Sequence, residues 1–206
     1  WRVHAARRTP RADDPISRLD SQKAGSIAVH TLDVTDSAAI AALARELSGE
    51  PIDTLLNNAG VYEDRDTAFG AADPEAWVRV LRVNTIAPLK MAEAFVEHVA
   101  SSRRRLIATI SSRMGSIEDN GSGGYYLYRS SKAAANMVVR SLSRDLKPRG
   151  IVCVALSPGW VRTDMGGPSA PLSVEQSVTG LRRVMDRLTP ADTGRFLEHD
   201  GAEVPW

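Results

Sequence analysis

Apolar residues along this chain fall into two alternating patterns. Short, nearly continuous apolar runs read as strands, and stretches with an apolar residue every three or four positions read as helices. Residues 1–6, 26–34, 52–56, 105–110 and 151–156 fit the first pattern, and 196–197 opens a short last strand. Ser37 is the expected cap of a helix over 38–47, with Ile40, Leu43, Ala44 and Leu47 on its apolar face and Gly49 and Pro51 behind it. Asp73 followed by Pro74 starts another helix, since proline fits a first turn. Its apolar face runs through Trp77, Val80, Leu81, Asn84, Pro88, Met91 and Phe95. A long helix over 125–146 ends at Pro148 and Gly150, and Ser173 with Gln176 predicts a capping box for a helix to about Leu188. Residues 7–25 read as a polar loop with a short helix, and 116–124 as a glycine-rich loop.

Apolar strands alternating with helices predict an α/β fold: a doubly wound parallel sheet in a three-layer α/β/α arrangement. Such sheets bind ligands beyond the carboxyl ends of their strands. Three strands here end in polar or glycine chemistry, at 57–60, at Ser111-Ser112 and at 157–159. Right-handed crossovers place all three ends on one rim.

Composition narrows the function. A chain of 206 residues suits one domain, and a net charge of +1 leaves no basic field for nucleic acid. No apolar run is long enough to span a membrane. The lone Cys153 sits in an apolar run, which excludes an internal disulfide and fits a core residue in a reducing, cytoplasmic setting. His4, His30, His98 and His199 are isolated and show no metal-ligand spacing. No Gly-x-Ser-x-Gly elbow is present, so a serine hydrolase is excluded.

Tyr128 and Lys132 are four apart on the expected helix and share a face. An ammonium near a phenol favours the phenolate, and a tyrosine tuned in that way serves as a general acid or base. The chain has only four lysines among its 26 basic residues, which makes this one more telling. The plain alternative is an exposed pair on a helix. Ser112 closes a strand on the same rim, or simply caps it. Asn84 is an amide inside an apolar stripe. Pro88, four residues on, has no N–H, so the Asn84 carbonyl loses its helical partner. That is either a tolerated kink or a water site able to relay protons to Lys132.

Together these residues resemble the short-chain dehydrogenase/reductase family over essentially the whole chain. The resemblance is carried by Asp33-Val34-Thr35, Asn57-Asn58-Ala59-Gly60, Asn84, Ser112, Tyr128-x-x-x-Lys132 and Pro158-Gly159-Trp160-Val161-Arg162-Thr163. The stretches ISSRMGSIEDN, GGYYLYRSSKAA and PGWVRTDMGGP are similar to its C-factor/sniffer-like carbonyl-reductase branch. The resemblance implies a Rossmann-like fold and a nicotinamide-dependent oxidoreductase acting on a small-molecule carbonyl or alcohol. It implies a tetrad: Tyr128 as general acid or base, Ser112 bonding the substrate oxygen, Lys132 lowering the Tyr128 pKa and holding the nicotinamide ribose, and Asn84 holding a relay water. It places Asp33 at the adenine, Asn57, Asn58, Ala59 and Gly60 along the adenine ribose side, and Val161 with Thr163 at the nicotinamide carboxamide, with Val34, Pro158 and Gly159 also binding the cofactor. Tyr125 and Tyr126 fall to the pocket wall or packing, Arg162 to solvent or a local salt bridge, and 164–171 to a mobile lid. Arg7 and Arg8 follow the first strand with no acid until Asp13, and Arg8 matches the arginine of NADP-dependent relatives. NADP is therefore the expected cofactor, with NAD the alternative. Members of the family often pair, as homodimers or homotetramers, through the helices that begin here near Asp73 and Tyr125, while other members are monomeric.

One family feature has no counterpart. The glycine-rich phosphate loop should precede the strand that starts at Trp1, and 115–124 follows the wrong strand to replace it. The expectation is a chain shortened by about 25–40 residues, one strand–turn–helix unit that includes the central first strand. A non-catalytic remnant or binding scaffold is the rival reading.

Overall fold

In the computed structural model, residues 1–9, 26–63 and 69–206 are described. The short helix expected within 7–25, and Asp13, lie outside them. The chain divides into two compact units, Trp1–Leu47 and Ser48–Trp206.

In the first unit, β1 (Val3–Arg7) pairs in parallel with β2 (Ile27–Thr31), from Val3 opposite Ile27 to Arg7 opposite Thr31. The register sets His4 opposite Ala28, two residues from His30 on the same face. The two imidazoles meet, with His4 Nδ1 3.0 Å from His30 Nε2, so these histidines are not isolated as the sequence suggested. Helix α1 (Ser37–Glu46) buries Ile40, Leu43 and Ala44. Its cap is Asp36, not Ser37: the Asp36 carboxylate accepts the amides of Ala38 at 2.9 Å and Ala39 at 3.0 Å. A carboxylate one residue earlier is the stronger acceptor for the positive helix end, and Ser37 becomes the first helical residue.

In the second unit, β3 (Thr54–Asn57), β4 (Leu106–Ile110), β5 (Val152–Ser157) and β6 (Phe196–Glu198) form a parallel sheet in that order. The parallel, helix-flanked pattern expected from the sequence is thus present as two sheets rather than one continuous ladder. Leu106, Ala108, Val152, Val154 and Leu156 pack on one face against Leu181 and Val184 of α5 (Val174–Arg187). Each valine or leucine among them contributes about 1.5–3 kcal/mol when fully buried. The Ser173–Gln176 capping box that starts α5 is formed as expected. Side chains alternate along β4 and β5, so Ile107 and Cys153 point to the opposite face. Cys153 is a buried free thiol, and burial pushes its pKa up to about 12.

That opposite face is covered by α3 (Ala87–Ala100) and α4 (Tyr126–Asp145). Helix α2 (Pro74–Leu81), capped by Asp73, docks on α4 through Trp77 Nε1, which donates to Ser130 Oγ at 2.8 Å. The long apolar face expected from Trp77 to Phe95 is not one helix. A π-helical turn, Arg82–Ile86, separates α2 from α3. Pro88 cannot donate to the Asn84 carbonyl, and the wider turn absorbs that missing bond while holding Asn84 only 1% exposed. Among the described residues, no helix is long and apolar enough to cross a membrane.

Candidate active site at the carboxyl ends of β3, β4 and β5

The end of β4 sets the first group. Ser111 extends the ladder, its amide donating to the Leu156 carbonyl at 2.7 Å. Ser112 caps a 3₁₀ turn, Arg113–Gly115, its Oγ accepting the Met114 amide at 3.2 Å. Gly115 lies flush on α4, and a Cβ there would sit 2.8 Å from the Cβ of Lys132. Asn136 locks this seam, donating to the Gly115 carbonyl at 3.2 Å and accepting the Ser111 hydroxyl at 2.6 Å. The Ser111-Ser112 end is thereby fixed against the helix that carries Tyr128 and Lys132.

Tyr128 and Lys132 share one face of α4, and both are buried. Tyr128 is hydrogen-bonded to Ser112. Burial raises the Tyr128 pKa, the Ser112 bond pulls it down, and the nearby Tyr62 phenol raises it again. The net direction is upward. This departs from the expectation that Lys132 lowers it, because burial of the phenol is the largest cause and outweighs the Ser112 bond. Lys132 Nζ donates to the Ile110 carbonyl at 2.9 Å and stands 5.7 Å from the Tyr128 ring centre. Burial of the ammonium lowers its own pKa to about 8.

Asn84 projects from the π turn and grips the chain just past β3. Its Oδ1 accepts the Val61 amide at 2.9 Å, and its Nδ2 donates to the Val61 carbonyl at 2.9 Å and to Ser131 Oγ at 3.0 Å. The amide side chain is committed to protein, so any water held by Asn84 rests on the backbone carbonyl. The grip on Val61 also places Tyr62, whose ring meets Tyr128 edge-on at 5.0 Å and lies 6.4 Å from Tyr125. Tyr125 is half exposed, and its left-handed φ of 52° begins α4. Tyr62, Ser131 and Asn136 escaped the sequence reading. Tyr62 stands two residues past a strand end already singled out, and Asn136 continues the spacing of four from Tyr128 and Lys132.

The remaining expected residues separate by environment. Asn57 turns inward, donating to the Pro88 carbonyl at 3.4 Å and Thr109 Oγ1 at 3.3 Å, while Asn58 and Ala59 are exposed. Gly60 passes close to the centre, since a Cβ there would lie 3.6 Å from both Asn84 Oδ1 and Lys132 Nζ. After β5, the Pro158 carbonyl accepts Ser177 Oγ at 2.7 Å. Gly159 has φ of 76°, and a side chain there would meet Leu172 Cδ1 at 2.5 Å, so only glycine fits. Val161 bridges to Leu172, and Thr163 Oγ1 accepts the Gly166 amide at 3.1 Å. Arg162 is exposed, as expected, but its guanidinium also donates to the carbonyls of Ala170 and Pro171, both at 2.9 Å. Trp160 Nε1 donates to the Gly166 carbonyl at 2.7 Å. The segment expected to be a lid is therefore tied across its base in this conformation.

In the first unit, Arg8 is exposed directly after β1, and Asp33 and Val34 follow β2. Asp33 accepts the Thr35 amide at 2.8 Å and the Thr35 hydroxyl at 2.7 Å. These bonds, with the charge of Arg8, hold its carboxyl below the usual range.

The donor set fits a nicotinamide ribose. Lys132 has three N–H donors and, among the described residues, one acceptor, the Ile110 carbonyl. A buried ammonium in that state calls for further oxygen acceptors, and Gly60 leaves its flank open. Among the described residues, no cluster of histidine, cysteine and carboxylate side chains could hold a metal ion.

The profile of the short chain dehydrogenase family matches residues 1–171. The chain is 46% identical over 165 residues to the C-signal protein of Myxococcus xanthus, covering 80% of this chain and 99% of that one. It superposes on the carbonyl reductase Sniffer of D. melanogaster with a TM-score of 0.94 and 30% identity, covering 100% of this chain and 88% of that one. Against the NADPH-bound carbonyl reductase from chicken fatty liver, the TM-score is 0.89 at 32% identity, with the same coverage. On the profile match over residues 1–171, the chain belongs to the short-chain dehydrogenase family of NAD(P)-dependent oxidoreductases.

Proposed function

We propose that the protein reduces a ketone or aldehyde to an alcohol with NADPH, and runs the reverse reaction with NADP, using Tyr128 as its general acid or base. One observation carries this reading: the buried Tyr128 phenol is bonded to Ser112 while the Lys132 ammonium is buried beside it. When bound, the nicotinamide supplies the hydride that reaches the carbonyl carbon. Ser112 holds the carbonyl oxygen through its hydroxyl. Its Oγ takes the Met114 amide and is bonded to Tyr128, so the hydroxyl that holds the substrate is also the one that meets the proton donor. Tyr128 gives its phenolic proton to that oxygen as negative charge develops there. The raised pKa keeps Tyr128 protonated at neutral pH, the state that reduction needs. The proton is restored from solvent through Lys132 and water at the Asn84 carbonyl.

In this reading Lys132 bonds the nicotinamide ribose, and Pro158, Gly159, Val161 and Thr163 line the nicotinamide. Asn58, Ala59 and Gly60 lie along the cofactor, with Asn57 bracing them from within. Arg8 takes the additional phosphate of NADP, with Asp33 and Val34 at the adenine. The exposed arginine after β1 supports NADP over NAD, as do relatives that bind NADPH. The test is to titrate the protein with NADPH and NADH by fluorescence, then follow cofactor oxidation with a panel of ketones and aldehydes. Tighter NADPH binding with carbonyl-dependent oxidation is expected. Binding of neither nucleotide would favour the scaffold reading.

A further inference from the structure

Trp206 makes contacts on two sides. Its backbone carbonyl accepts the amides of Ile117 and Glu118, both at 3.1 Å, and the Ser116 hydroxyl at 3.4 Å. Two amides occupy the two lone pairs of that oxygen, and the hydroxyl shares one. Ser116 is itself buried and accepts the Asp119 amide at 3.0 Å. The indole ring lies on Phe196, 5.6 Å between centroids, and the Arg140 guanidinium stands over it at 5.9 Å. The residues leading to Trp206 are fastened to β6. Glu198 donates its amide to the Ala202 carbonyl at 2.8 Å, Val204 donates to Phe196 at 2.9 Å, and Glu203 pairs with Arg195 at 3.0 Å.

Loop 116–119 begins four residues after Ser112 and is held at both ends from one helix. Tyr128, Lys132, Asn136 and Arg140 recur every four residues along α4. Asn136 holds the Gly115 carbonyl at the near end. Arg140 holds the ring of Trp206, whose carbonyl holds the far end. The helix face that carries the proton chemistry thus also sets the loop. Ile117, five residues after Ser112 on that loop, is an apolar side chain left 76% exposed.

We propose that Trp206 is a positioning residue for substrate: it latches 116–118 so that Ile117 forms a fixed wall for the apolar part of the carbonyl compound. The substrate half of this proposal rests on the carbonyl-reduction reading. The latch touches neither Tyr128 nor Lys132, so it governs substrate affinity rather than proton transfer.

Hydrogen exchange on the full chain reads the latch without any turnover. Trp206→Ala keeps the carbonyl but frees it from the ring's anchorage on Phe196 and Arg140, and protection at the Ile117 and Glu118 amides falls about 10-fold. Amides of β4 and β5 keep theirs, and Trp206→Phe restores both. In steady-state reduction, the same Ala variant raises KM for the carbonyl compound about 10-fold, with kcat and NADPH affinity nearly unchanged. Arg140→Leu, which leaves the Trp206 ring on Phe196, gives a smaller change of the same sign and serves if the Ala variant does not fold. Unchanged protection at Ile117 and Glu118, or a loss spread evenly over β4 and β5, overturns the latch. Lost protection with an unchanged KM overturns the substrate role. If the unaltered protein reduces no carbonyl compound, the carbonyl-reduction reading fails, and with it the substrate role; hydrogen exchange still decides the latch.

Discussion

Lys132 Nζ donates to the Ile110 carbonyl at 2.9 Å, so the side chain reaches from α4 to the end of β4 and buries its charge there. Burial lowers its pKa to about 8 from 10.5. The unfolded chain therefore holds the extra proton between these values, and the native state gains stability as pH rises through that window.

Lys132→Met removes that cost. The variant is expected to unfold at higher denaturant concentration at pH 7, by about 1–3 kcal/mol, while losing activity. It should also lose the rise in stability that the unaltered protein shows from about pH 8 to 10.5. Urea titrations at several pH values check both. A variant less stable than the parent at neutral pH would mean that the Ile110 bond outweighs the burial cost.

The two neighbours of Tyr128 act on its proton in opposite directions. Removing the Ser112 hydroxyl takes away a bond that lowers the phenol pKa, and removing the Tyr62 hydroxyl takes away an interaction that raises it. Reduction needs the protonated phenol, so the alkaline limb of its pH–rate profile should move up in Ser112→Ala and down in Tyr62→Phe. Equal displacement in one direction by both variants contradicts the assignment.

Asn84 is nearly inaccessible and satisfies both backbone groups of Val61. Asn84→Ala leaves those groups and Ser131 without it, and a loss of about 2 kcal/mol is expected. Thermal unfolding measures the loss. Exchange of the Val61 amide should rise above that of the α4 amides; if it does not, the grip is not what holds the segment.

Arg8 is exposed after β1, and its charge reaches Asp33. Arg8→Ala should weaken NADPH about 10-fold or more, the cost of one charge-assisted contact. NADH should be nearly unaffected. Equal weakening of both nucleotides would place Arg8 away from the additional phosphate.

Much of this site is legible in the sequence because local chemistry fixes it. Tyr128 and Lys132 share a helix face through their spacing, and Ser112 follows an apolar strand that can only end at the rim. The Ser173–Gln176 box and the Asp73–Pro74 start are likewise local, and both formed. What the sequence could not supply depends on distance in space. The direction of the Tyr128 shift follows from burial and from Tyr62, which lies far away along the chain. The His4–His30 contact follows from strand register, and the Asn84 grip on Val61 follows from how α3 and the π turn pack. The cap of α1 was misplaced by one residue because Asp36 and Ser37 are both good caps, and only backbone geometry decides between them.

Steady-state reduction by Tyr128→Phe tests the central claim most directly. The substitution removes one hydroxyl and keeps the ring against Tyr62. The account predicts a fall in carbonyl reduction of about 10²–10⁴-fold, the range for loss of a general acid, with NADPH binding by fluorescence close to that of the unaltered protein. Turnover retained at the parent rate, with NADPH bound, would contradict it.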